Sequence, residues 1–118
     1  MFANLAALLF ASRDFGHRAH LKTTSLSQHL ALGSFYEDLT NLLDELIEMY
    51  QGRNSVVEIP YCDPLQDTDP IVVLTKHLEI IENVRSDAIP VTDTPLQNKV
   101  DEICGVYLRT LYKLKNLR

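Results

Sequence analysis

The sequence predicts an all-α chain folded as a single four-helix bundle spanning residues 1–118. Three observations carry that expectation. Apolar residues recur at spacings of three and four over four separate stretches, the period of a helix with one buried face. Three of the stretches open on a helix-start residue set, either a Ser cap or a Thr/Asp-Pro pair. One connection only, residues 53–68, is long and irregular, as a bundle with a single crossover requires. A chain of 118 residues is one domain, long enough to bury a core without disulfides or a metal staple.

The first helix is expected from about Phe2 to Leu21, with Leu5, Leu8, Ser12, Phe15 and Ala19 forming a narrow core stripe. At about 100° per residue, His17 falls opposite that stripe and His20 about 120° from it. Gly16 weakens the helix and gives room for a neighbouring backbone. Thr23-Thr24-Ser25 is a break. Ser25 then reads as an N-cap, with Gln28 reaching back in a capping box. The second helix runs to about Gln51, where Gly52 offers a left-handed stop. Leu32, Phe35, Leu39, Leu42, Leu46 and Met49 make its core stripe, flanked by Tyr36, Leu43, Ile47 and Tyr50. So wide an apolar face needs more than one neighbouring helix, and Glu37, Asp44 and Glu48 lie on the opposite side. In the connection, Val56 to Ile59 fits an extended run before Pro60 and Pro64. The third helix opens at Thr68-Asp69-Pro70 and continues to about Arg85, with Ile71, Leu74, Leu78 and Ile81 inward. The fourth opens at Thr94-Pro95 and buries Leu96, Val100, Ile103, Tyr107, Leu111 and Leu114.

Composition excludes several classes of function. Asp and Glu number 16 against 11 Lys and Arg, and the only basic run is a weak one, Lys113 to Arg118. DNA binding, which rests on basic phosphate contacts, is therefore disfavoured. Cys62 and Cys104 follow no metal-ligand spacing and read as reduced structural thiols. The apolar start, Phe2 to Ala11, has no preceding basic segment and is too short to span a bilayer, so no membrane association is expected. Walker, dinucleotide, Cys-x-x-Cys and Ser/His/Asp signatures are absent. The core pattern of a di-iron bundle, Glu on two helices and Glu-x-x-His on the other two, is absent as well.

The residues that could carry chemistry are candidate metal ligands. Asp44 and Glu48, four residues apart, present hard oxygen donors on one face of the second helix. His17, His20 and His29 crowd the break between the first two helices, and imidazole would complete a nitrogen–oxygen set suited to iron or zinc. On the residues alone, a solvated acidic face and helix-end histidines explain the same pattern. His77, beside core Leu78, reads as structural. His29 and Asp44 are fifteen residues apart on one helix, roughly 22 Å at the standard helical rise, so a shared ion demands two copies of the chain.

Phe15 to Gly52 resembles the first two helices of the Dps-type miniferritins, members of the ferritin-like superfamily. In that family a His late in helix one and a His early in helix two meet an Asp-x-x-x-Glu from helix two of a symmetry mate. His29, Asp44 and Glu48 match in order and spacing. The first His is either His17, by its spacing to His29, or His20, by its place just before the break. The runs His20 to Leu32, Phe35-Tyr36-Glu37, Tyr50-Gln51-Gly52 and Leu108 to Lys115 are also similar to a family of small uncharacterised bacteriophage proteins.

The resemblance implies a ferritin-like bundle with its long crossover between helices two and three. It further implies a homo-oligomer, dodecameric in the family, that binds iron between subunits, with an oxidant such as peroxide taking electrons from Fe(II). The chain departs from the family in having no Trp, no evident helix in the crossover and no basic N-terminal tail. Metal binding, of iron or of zinc, thus ranks ahead of ferroxidase activity as an expectation. The expected setting is the host cytoplasm or the virion. The rival expectation is a metal-free helical protein, virion-associated or directed at another phage or host protein. A structural zinc holding an oligomer together is a third.

Overall fold

Four helices make up most of the computed structural model, which describes residues 1–62 and 67–118: α1 Phe2–Lys22, α2 Leu26–Arg53, α3 Pro70–Ala88 and α4 Thr94–Asn116. Pro64 of the crossover lies outside the described residues. Where α2, α3 and α4 begin, side chains satisfy the first free N–H groups. Ser25 Oγ accepts from Gln28 N at 3.3 Å, and Asp69 and Asp93 accept from Ile71 N and Leu96 N. The capping box predicted at Ser25 closes differently. Gln28 Oε1 accepts from the Thr23 hydroxyl at 2.7 Å, and Thr23 Oγ1 accepts from Ser25 N, so Thr23 relays the contact. Gly52 does not stop α2, for no glycine has positive φ among the described residues. The helix ends at Asn54, whose backbone and side-chain N–H groups both donate to Tyr50 O. Ile89, fully buried and extended, ends α3 three residues beyond the expected Arg85.

Topology follows from three cross-links. Ser27 at the start of α2 donates to Leu117 O beyond α4, and Arg53 at the end of α2 pairs with Asp93 at the start of α4 at 2.7 Å. Thus α2 and α4 are antiparallel. Arg85 and Gln97 staple α3 to α4 as a second antiparallel pair, through Arg85 Nε to Gln97 Oε1 at 2.9 Å. Helix α1 packs on α2 and α3, α4 packs on the same two, and α1/α4 and α2/α3 take the diagonals. Helices α2 and α3 therefore run parallel, so the connection between them joins opposite ends of the bundle. This is the one-crossover topology of ferritin-like bundles. No helix among the described residues is long and apolar enough to cross a membrane.

The core is continuous, with Phe35, Leu39, Leu46, Leu74, Ile81, Ile103 and Tyr107 all fully buried. All six expected inward residues of α4 are buried. Helix α1 buries a different and wider face than the predicted stripe: Phe2, Ala6, Ala7, Leu9 and Gly16 join Leu5 and Ser12, whereas Leu8, Phe15 and Ala19 are only half-buried. Gly16 is required there. A Cβ on it would stand 2.6 Å from the Phe35 ring, inside contact distance. This face turns α1 so that His17, expected opposite the stripe, and His20, expected about 120° from it, both lie half-buried against α2.

Candidate metal-binding surface

Along the seam of α1 and α2, residues of the two helices meet in antiparallel order. Arg13 Nε donates to Thr40 Oγ1 at 2.9 Å, the His17 ring stacks on Tyr36 at 4.2 Å, and His20 stacks on His29 at 3.8 Å with 17° between planes. Tyr36 also meets the edge of His20 at 5.4 Å. The short turn at Thr23-Thr24-Ser25 sets this register, because it brings the last turn of α1 against the first turn of α2.

His20 and His29 hold each other by a reciprocal clamp. His20 Nδ1 bonds to the His29 carbonyl, and His29 Nδ1 to the His20 carbonyl at 2.8 Å. A carbonyl only accepts, so both Nδ1 atoms carry hydrogen. In each neutral ring the lone pair is then on Nε2, the arrangement found where a backbone carbonyl orients a metal-binding histidine. Gly33 completes the seat. Its absent Cβ leaves room for the His20 ring, which a methyl group would meet at 3.0 Å from Cε1 and 3.1 Å from Nδ1. His17 has no such clamp; it is 6.5 Å from His20 and its ring packs on Tyr36.

Asp44 and Glu48 are exposed further along α2 and make no hydrogen bond or ion pair among the described residues. Their neighbour Glu45 differs, pairing with Lys99 of α4 at 2.6 Å. Leu26, Leu30, Glu37, Asp44 and Glu48, at spacings of four and seven, share one outward stripe of α2. Leu26 and Leu30 are 72% and 61% exposed, and Leu21 of α1 beside them is 70% exposed. The structure thus joins His20 to His29, sets His17 next to them, and keeps Asp44 and Glu48 at the other end of the stripe. No group of three or more His, Cys, Asp or Glu able to hold an ion exists within one copy among the described residues.

The clamp and the role of Gly33 were missed in sequence. The only signal was a glycine four residues after His29, on the same helix face. Elsewhere, His77 is buried with Nδ1 2.7 Å from Ser12 Oγ, and burial lowers its pKa. Cys104 is a buried free thiol whose pKa burial raises, and Cys62 is free and exposed.

Fold and surface define a four-helix bundle protein with a clamped histidine pair at one end of a helical seam. Residues 20–114 match the model of a protein family described as "Family of unknown function (DUF5856)", and the chain belongs to that family. The matched region begins at His20 and contains His29, Gly33, Asp44 and Glu48, leaving His17 outside. No curated protein and no solved structure matches the chain.

Proposed function

We propose that this protein binds iron or zinc between two copies of itself, through Nε2 of His20 and His29 on one copy and the carboxylates of Asp44 and Glu48 on the other. The observation that carries the reading is the reciprocal Nδ1–carbonyl clamp, which leaves the metal-binding lone pair of each neutral imidazole on Nε2. Imidazole nitrogen with carboxylate oxygen is a donor set that Fe(II) and Zn(II) both accept. The carboxylates have no competing partner among the described residues. The stripe also supplies a reason to associate: Leu26 and Leu30 beside the histidines are apolar surface that a second copy would cover. A Dps-like dodecamer that oxidises and stores Fe(II) is the fullest form of this reading.

The test is titration of Zn(II) and of anaerobic Fe(II) into the wild type and into Asp44→Asn/Glu48→Gln, with circular dichroism to check folding. Loss of affinity by more than about tenfold with helicity intact supports the site. Unchanged affinity refutes it. The exposed leucines would then favour the second reading, a metal-free helical protein that docks on another protein through this end of the bundle.

A further inference from the structure

Away from the histidine pair, α1 and α3 flank a groove of about 1020 Å³ that the start of the crossover borders. Phe10, Ala11 and Phe15 of α1 face Val73 and Ile80 of α3 across it, with His77 set in the wall. His77 is only 4% exposed, and its Nε2 makes no hydrogen bond among the described residues. Its Nδ1 is engaged by Ser12, whose own surroundings are fully closed. The free edge of the ring therefore belongs to the groove. At the rim, Arg18 forms an ion pair with Asp14 at 2.8 Å, and Arg13 donates to the neutral hydroxyl of Thr40.

We infer that this groove binds a neutral, largely apolar small molecule carrying one hydroxyl group, with the hydroxyl on His77 Nε2. The walls supply the apolar contact, and the volume accommodates a bicyclic ring system. A neutral imidazole offers either an N–H or a lone pair at Nε2, depending on which partner donates in the Ser12 bond, and a hydroxyl complements both. A ligand whose hydroxyl bonds this nitrogen gains over one that covers it with apolar surface and leaves it unpaired.

The experiment uses 1-naphthol as the probe, with naphthalene and 1-naphthoate as comparators, followed by calorimetry and by nitrogen NMR of the His77 side chain in the wild type. The expected result is binding of 1-naphthol about tenfold tighter than naphthalene, a shift at His77 Nε2, and at least about a tenfold loss in Ala11→Trp, which fills the groove. Equal binding of naphthol and naphthalene, tighter binding of naphthoate, an undisturbed His77 or an indifferent, folded Ala11→Trp each overturns the inference. Should Ala11→Trp fail to fold, the wild-type NMR titration decides alone. Neither result bears on the His20 and His29 site, which lies on the other seam of α1.

Discussion

Replacing Gly33 by Ala should separate stability from metal binding. The added Cβ would lie 3.0 Å from His20 Cε1 and 3.1 Å from Nδ1, so the ring must move by a few tenths of an ångström or leave its seat. Moving it weakens the His20 Nδ1 bond to the His29 carbonyl, worth about 0.5–1.5 kcal/mol. Against this, Ala in a helix interior gains about 0.8–1.0 kcal/mol over Gly. The His29 carbonyl is not orphaned, because it still serves the α2 ladder. The two terms nearly cancel, and the melting temperature should change by less than about 5 °C. Metal affinity should behave otherwise: losing a carbonyl that orients a ligating imidazole costs about 10–100-fold. Thermal melts and Zn(II) titration on the same preparation read both quantities. A variant that binds metal as the wild type does would refute the argument. So would a melting temperature lowered by more than about 10 °C, since Gly33 would then be a core residue and not a seat for His20.

Further outcomes follow from the same packing. Gly16→Ala should destabilise by about 1–3 kcal/mol net of its helix-propensity gain, because its Cβ meets a fully buried Phe35 ring at 2.6 Å; chemical denaturation measures this. Ser12→Ala should cost about 1–3 kcal/mol by stranding His77 Nδ1, whereas Ser12→Ala/His77→Phe should recover part of that loss, since the imidazole nitrogen is no longer there to be stranded. Burial lowers the His77 pKa in the folded chain, so the unfolded chain takes up the proton first on acidification. Stability from this group is complete above the unfolded value of about 6.5 and falls as the pH drops from there toward the lowered folded value. Melting curves from pH 8 to pH 5 should show a shallower acid decline in His77→Gln than in the wild type, and identical slopes would exclude His77 as the source.

The four helices were legible because burial repeats at three and four residues whatever the neighbours are. All six inward residues expected for α4 are buried, as are Leu74, Leu78 and Ile81 of α3. What escaped depends on contacts between helices. Gly52 looks like a stop, yet Asn54 offers two donors to Tyr50 O and α2 continues to it. The orientation of His17 and His20 depended on which residues of α1 face inward. Gly16 admits the Phe35 ring and Phe2 stacks on Tyr50 at 3.7 Å, so the buried face is wider than the repeat suggests. The histidine clamp was invisible for the same reason: its acceptors are backbone carbonyls, which every sequence has, and only the register of the α1–α2 hairpin brings them into reach. The exposed position of Asp44 and Glu48 was legible, since the helix repeat alone fixes it.

The central claim is that His20 and His29 of one copy meet Asp44 and Glu48 of another. It is tested most directly by the native mass, measured by light scattering on a sizing column with and without Zn(II) or Fe(II). The account predicts an assembly of at least two copies, reduced by Asp44→Asn/Glu48→Gln when the ion contributes to the contact. A protein that stays a single copy under every metal condition would contradict it, because about 22 Å of helix separates His29 from Asp44 within one chain.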